Sequence, residues 1–232
     1  MRCPDGARVR RKSDAPHRRV REHASGPSAI GETHWLDLIG YFFRQEDNVP
    51  EITREEVERA LEGVLAARQA TIDARKMPDP KDRSKLYQFP PLPGPASPTS
   101  IASVEQTFAV ILPPSFKHLW SLHDGVPELD LASDLFGTSM FIDYNRGPAE
   151  KHLSKALNEI ERESIEGLFV FGAQRSNKAL FIFDSHKADE FGEWSVIVYD
   201  TDEGLIDEYE NLVDFLDDTA DTLRLIARRY RR

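Results

Sequence analysis

Cysteine is almost absent from this sequence, because Cys3 is the only one among its 232 residues. A single thiol forms no internal disulfide and supplies no cysteine-rich zinc site. Long apolar runs are missing too, and none approaches the roughly 20 residues of a membrane-spanning helix. The Arg-rich start lacks the apolar segment of a secretory signal. We therefore expect a cytoplasmic protein with no membrane segment and no bound metal.

The motifs that mark many cofactor-dependent enzymes are also missing. The 13 glycines are scattered, and none belongs to a GxGxxG or GxxxxGK phosphate loop; HExxH and CxxC are absent as well. Asp184, Ser185 and His186 are residue types of a catalytic triad, but consecutive residues of an extended chain point to opposite sides. Carboxylates are abundant, so counting them does not exclude a glycosidase-like pair. We expect no catalytic residues and no cofactor.

Charge is distributed unevenly along the chain. Residues 1–28 contain eight Lys/Arg and three Asp/Glu, whereas the remainder contains 22 Lys/Arg and 37 Asp/Glu. Nucleic-acid binding draws its affinity mainly from basic contacts to phosphate, so we do not expect the acidic part to bind nucleic acid. Its charge favours a basic protein partner, or it serves solubility alone.

Composition divides the chain into four predicted segments. Residues 1–28 lack apolar periodicity and are expected to be disordered; a translated upstream stretch, a transit peptide and a basic arm all fit them. Residues 29–77 are predicted to form a helical extension, with one helix over residues 33–44 and another that begins at a Thr53/Glu56 capping box. Residues 78–99 contain seven prolines and are predicted to be a linker, and residues 100–232 form the main domain.

The main domain is predicted to begin with a helix over residues 101–112. Its apolar residues recur at helical spacing, and Ser103 with Gln106 matches a capping box. Pro113 and Pro114 end this helix, because proline has no N–H to donate. The same prolines fit the first turn of another helix.

The helix that follows presents Phe116 and Trp120 on one face. Aromatic residues at this spacing usually pack in a core, and we expect both to be buried. His118 and His123 are five residues apart, so they diverge on a helix and do not match the i, i+4 pair of a zinc site. Gly125 suits the left-handed conformation that ends many helices.

The second half of the domain is predicted to contain a sheet. Three apolar segments indicate strands buried on both faces, namely residues 168–171, 180–183 and 196–199. We also predict a short strand at residues 139–142, a helix from Pro148, an edge strand at residues 205–209 and a final helix with Asn211 as N-cap. The fold class is therefore predicted to be α+β, with one mostly antiparallel or mixed sheet flanked by helices and an N-terminal helical extension.

The order and spacing of several of these residues also resemble the pattern of the SUKH superfamily. The matching features of the first half are Glu105, Leu112-Pro113, Phe116-Lys117, Trp120 and Asp124-Gly125. Those of the second half are Phe171-Gly172, Phe183-Asp184, the strand from Val196 to Tyr199, and the helix start from Asn211 to Leu216. Asn177-Lys178-Ala179 stands where the family often has Gly-Asp. The resemblance covers about residues 100–220.

The resemblance implies protein binding rather than catalysis. The superfamily includes bacterial immunity proteins, which neutralise cognate toxins that are often nucleases, and fungal regulators of cell-wall assembly. We therefore expect an immunity protein with a basic toxin as partner. The alternative is an intracellular regulatory or scaffold protein, and an enzyme is the third candidate.

The predicted partner-binding surface lies between residues 184 and 203. Its members are Asp184, Asp189, Glu190, Phe191, Glu193, Trp194, Asp200, Asp202 and Glu203, with Lys187 as the one basic residue of the segment. Loops between buried strands often carry binding residues, and an aromatic ring surrounded by charge is typical of an interface anchor. In the alternative, Trp194 folds back onto the sheet and the acids serve solubility.

Overall fold

The computed structural model describes residues 51–75, 89–157, 160, 163–176 and 178–231. The predictions for residues 1–28 and for a helix over residues 33–44 lie outside this part of the chain, as do residues 78–88 of the predicted linker. Within the described part, the chain forms six helices and one five-stranded sheet.

The helices are α1 (Arg54–Ala74), α2 (Pro98–Phe108), α3 (Pro114–Leu122), α4 (Thr138–Arg146), α5 (Pro148–Ala156) and α6 (Leu212–Tyr230). The strands are β1 (Ser133–Leu135), β2 (Leu168–Gln174), β3 (Ala179–Ala188), β4 (Trp194–Asp200) and β5 (Gly204–Tyr209). Each strand pairs antiparallel with its neighbour in the order β1-β2-β3-β4-β5. The predicted α+β class with an antiparallel sheet is confirmed.

The three strands predicted to be buried occupy the middle of this sheet. In β3, every residue from Leu180 to Asp184 is buried, and β2 and β4 show similar runs of buried residues. Such runs form because side chains alternate between the two faces of a strand, so both faces must be covered. The predicted edge strand is confirmed as β5.

Aromatic side chains from the helices fill the core against this sheet. Phe116 lies with its ring centroid 4.2 Å from that of Trp120 and 4.9 Å from that of Phe183. Both α3 aromatics are fully buried, as predicted. The indole Nε1–H of Trp120 donates to the Phe136 carbonyl at 2.9 Å, so its polar atom is satisfied.

Helix α1 packs along α6 and begins at the predicted capping box. The Thr53 hydroxyl accepts from the Glu56 backbone N–H, and the Glu56 carboxylate accepts from the Thr53 N–H. At the other end of α1, the buried Thr71 hydroxyl lies 3.0 Å from the Leu223 carbonyl of α6. The two helices form one layer beside the sheet.

Three local predictions were wrong. Helix α2 ends at Phe108, where Ala109 adopts the left-handed conformation, and not at Pro113. Helix α2 begins at Pro98 with Ser97 as N-cap, not at Ser103, because Pro98 fits the first helical turn and the Ser97 hydroxyl accepts from the Ser100 N–H at 3.0 Å. Residues 139–142, predicted as a strand, lie in α4. The signal missed there was the helix start, which a residue distant in sequence provides, as described below.

The last helix begins as predicted. The Asn211 side chain accepts from the Val213 and Asp214 N–H groups and so caps α6. Among the described residues, no helix combines the length and apolar character that crossing a bilayer requires.

Candidate protein-interaction surface

The residues that carry the family resemblance mainly hold the helices in place. The Glu105 carboxylate accepts from the Leu112 N–H at 3.1 Å and from the Lys117 ammonium at 3.3 Å, and so fixes the passage from α2 to α3. The Asp124 carboxylate accepts from the Thr138 N–H at 2.6 Å and caps α4. These side chains stabilise the fold, so a binding surface must be sought elsewhere.

The predicted binding residues do not form one patch. Asp184 lies in β3, the members from Asp189 to Glu193 lie in the turn between β3 and β4, and those from Asp200 to Glu203 lie at the turn between β4 and β5. The two turns sit at opposite ends of β4. A seven-residue strand separates its ends by about 20 Å.

Three of the predicted residues are withdrawn from solvent. Asp184 is fully buried, Glu193 is 2% exposed and Trp194 is 5% exposed. The Trp194 ring stacks on Phe169 with a centroid separation of 5.5 Å and packs edge-on against Phe183 at 6.0 Å. Trp194 thus covers the sheet, which is the arrangement given above as the alternative to an exposed anchor.

Glu193 caps a helix that has no side-chain cap of its own. Helix α3 starts after Pro113, and the Glu193 carboxylate accepts from the Ser115 N–H at 2.8 Å and from the Ser115 hydroxyl. A carboxylate is favourable there because a helix N-terminus carries partial positive charge. Burial raises the pKa of Glu193, and the bonds from Ser115 oppose that rise.

Two other predicted acids shape their own turns. The Asp189 carboxylate accepts from the N–H groups of Phe191 and Glu193 at 2.9 and 2.8 Å. The Asp200 carboxylate accepts from the Asp202 and Glu203 N–H groups in the same way. Of the nine predicted residues, Glu190, Asp202 and Glu203 therefore combine an exposed position with a carboxylate that is free of turn-forming bonds.

The structure extends the exposed acidic surface beyond Glu203. From Ala188 to Leu223 the chain has 13 Asp/Glu and no Lys, Arg or His. The exposed acids of this stretch that surround β5 are Asp202, Glu203, Asp207, Glu208, Glu210, Asp214 and Asp218, and together with the exposed Leu205 and Ile206 we call them the β5 surface. The absence of any cation over this stretch is a sequence signal that could have marked it.

A hydrogen bond joins β5 to α6, and acidic groups lie close together around it. The Tyr209 hydroxyl donates to the Asp218 carboxylate at 2.9 Å, and burial together with this acid raises the pKa of Tyr209. Burial, followed by the charges of Glu210 and Asp217, raises the pKa of Asp214. Negative groups therefore lie close enough to repel one another, and a positive partner would relieve that repulsion.

The neighbouring cations neutralise this surface only in part. Lys178 pairs with Asp202 at 2.6 Å, Arg59 pairs with Asp217 at 3.1 Å, and Lys187 pairs with Glu208. These pairs are exposed, and such pairs are screened by solvent. In the described part of the chain, no group of three or more His, Cys, Asp or Glu could hold a metal ion.

One of the comparisons with known proteins identifies a family. The model of the SMI1 / KNR4 family (SUKH-1) matches residues 95–218, which run from just before α2 into the first half of α6. That match covers more than half of the chain and leaves α1 outside it. Comparison with the curated proteins found no match.

Proposed function

Because the chain belongs to the SMI1 / KNR4 family (SUKH-1), we propose that it is a non-catalytic immunity protein that binds and neutralises a cognate toxin in the cytoplasm. Members of this family generally act by binding other proteins. We therefore infer protein binding from the family, and the charge of the partner from the acids of the β5 surface.

The observation that carries the proposal is the β5 surface. A stretch with 13 carboxylates and no basic residue favours a partner of opposite charge, since complementary potentials steer association and reject partners of like charge. A toxin that acts on nucleic acid presents cations to phosphate groups. The carboxylates of Asp207 and Glu208 offer those cations a substitute.

Within the predicted set, the exposed acids contact the partner and the buried residues support them. Glu203 and Asp202 adjoin β5 directly, whereas Glu190 lies beyond the opposite end of β4. Asp184, Glu193 and Trp194 support the exposed acids from the interior and do not contact the partner, because each is at least nine-tenths buried. The binding surface is thus centred on β5 rather than on the turn before β4.

A regulatory or scaffold role of the cell-wall-assembly regulator type is the second candidate. The observation that favours it is helix α1, which lies outside the family match and adds an exposed helical layer to the domain. Such an addition suits a protein that brings more than one partner together.

The two candidates differ in what the partner does. Affinity capture on the purified protein, followed by mass spectrometry, identifies the partner, which is then expressed alone and together with this chain. The immunity proposal predicts that the partner arrests growth alone and that co-expression restores growth. A captured partner that does no harm when expressed alone would favour the regulatory role, and a toxic partner that this chain fails to neutralise would contradict the proposal.

A further inference from the structure

The two edges of the sheet differ in how far the rest of the chain covers their backbone hydrogen-bonding groups. At the β1 edge, Val126 and Leu135 exchange backbone hydrogen bonds of 3.0 and 2.9 Å, so the edge is covered by the chain itself. Where β1 ends, the Asn145 side chain bonds both the N–H and the carbonyl of Val170 at 2.8 Å. This edge has little left to offer to another strand.

The opposite edge is open over the described residues. β5 is the last strand of the order, and its residues from Leu205 to Glu208 are all exposed. Leu205 and Ile206 are 44% and 49% exposed, although both are large apolar side chains. An open edge with apolar side chains pairs readily with another chain.

The same strand is protected against pairing with a second copy of itself. Its register passes from the pair Leu205/Tyr199 to the pair Asp207/Val198, so Ile206 forms a bulge. The Asp207 carboxylate also accepts from the Glu208 N–H at 2.9 Å. The bulge and this side-chain bond restrict any added strand to the backbone groups on either side of them, whereas the like charges of two β5 strands disfavour a second copy in particular.

We propose that β5 accepts an extended segment of a protein partner as a sixth strand, and that this segment carries both Lys or Arg and β-branched apolar residues on each of its two faces, because Asp207 and Glu208 lie on opposite faces of β5. Its cations pair with Glu203, Asp207 and Glu208, and its apolar side chains cover Leu205 and Ile206. A cationic strand removes the charge repulsion that excludes a second copy, so the same acids reject one occupant and select the other. This inference rests on the proposed function and names the mode of binding.

A synthetic eight-residue peptide with the repeat Lys-Lys-Val-Val is a direct probe, because it presents both residue types on each face of an extended strand. We expect binding in fluorescence anisotropy that weakens as salt is added, together with slower hydrogen exchange of the β5 amides. Two control peptides separate the contributions. One replaces Lys by Glu, and the other is N-methylated at every residue, so that it keeps the charges but has no backbone donors. Neither control is expected to bind appreciably.

Paired protein variants locate the site. The double variant E203K/D207K is expected to weaken peptide binding by about tenfold or more. D143K/E163K changes two exposed acids at a distance from β5 by the same net charge and is expected to have no effect. Because Asp207 also bonds its own strand, E203Q/D207N provides a milder change that keeps an oxygen acceptor, and it should weaken binding in the same direction.

Three outcomes would overturn the inference. They are equal binding of the N-methylated peptide, exchange protection that falls outside β5, and a dimer of the free wild-type protein in which the β5 amides are protected from exchange. None of these outcomes tests toxin neutralisation. A chain that fails them but restores growth against its captured partner keeps the proposed function and loses only this mode of binding.

Discussion

Replacement of Trp120 tests whether the core is organised as described. The side chain is fully buried and lies 4.2 Å from Phe116 and 5.5 Å from Phe141 between ring centroids. Removing such a ring usually costs about 3–5 kcal/mol. Trp120→Ala also leaves the Phe136 carbonyl without its 2.9 Å donor. A domain typically has only about 5–15 kcal/mol of stability, so this variant should be close to unfolding.

Trp120→Phe separates the contribution of ring packing from that of the hydrogen bond to the Phe136 carbonyl. The phenyl ring retains most of the packing but cannot donate to Phe136, and an unsatisfied buried carbonyl costs about 1–3 kcal/mol. Urea denaturation followed by circular dichroism at the helical band measures both variants, since it does not depend on indole fluorescence. A loss below about 1 kcal/mol for Trp120→Ala would show that Trp120 is not a core residue.

The remaining stability predictions concern a cap, a turn and an ion pair. Burial raises the pKa of Glu193, so the folded state binds its proton more tightly than the unfolded chain does. The free energy of unfolding of wild type should therefore fall relative to that of E193Q as pH rises from about 4.5 towards the raised pKa. A difference between the two proteins that stays constant with pH would contradict this. Gly125→Ala should cost more than about 1 kcal/mol, because φ is +97° and a Cβ would lie 2.7 Å from the Gly137 nitrogen; an unchanged urea midpoint would refute it. Arg59→Ala should cost less than about 1 kcal/mol, since the ion pair with Asp217 is exposed, and a larger loss would mean that this pair holds α1 on α6.

Local sequence patterns were sufficient to predict most of the fold. Apolar runs identified β2, β3 and β4, the Thr53/Glu56 box located the start of α1, and Asn211 located the start of α6. Each of these signals lies within a few residues of the element that it specifies. The family resemblance then agreed with the order in which they occur.

The start of α2 had a local signal, Ser97 before Pro98, whereas the errors at α4 and at Glu193 arose because the contacting residue is distant in sequence. Helix α4 is capped by Asp124, 14 residues before Thr138, and α3 is capped by Glu193, 78 residues after Ser115. No local pattern reveals such caps. The same contact explains why Glu193 lay in the predicted binding surface although it is buried, since a carboxylate that caps a distant helix looks like any other acid in the sequence.

The sequence was sufficient to predict the charge of the proposed binding surface, but not which of its residues are exposed and lie together. Counting acids identified the segment up to Glu203, and the same count continued through β5 would have included Asp207 and Glu208. Two facts required the structure: the turns before and after β4 lie at opposite ends of the sheet, and Trp194 packs on Phe169. Exposure, not composition, separates the residues that a partner can reach.

The central claim is that the β5 surface attracts a basic protein partner. The most direct test is the association rate constant of the captured partner, measured at low and at physiological salt with wild type, E203K/D207K and D143K/E163K. We expect E203K/D207K to associate more slowly than wild type, with the largest deficit at low salt, and D143K/E163K to match wild type. If both double variants have the wild-type association rate and salt dependence while remaining folded, the β5 surface is not the binding site.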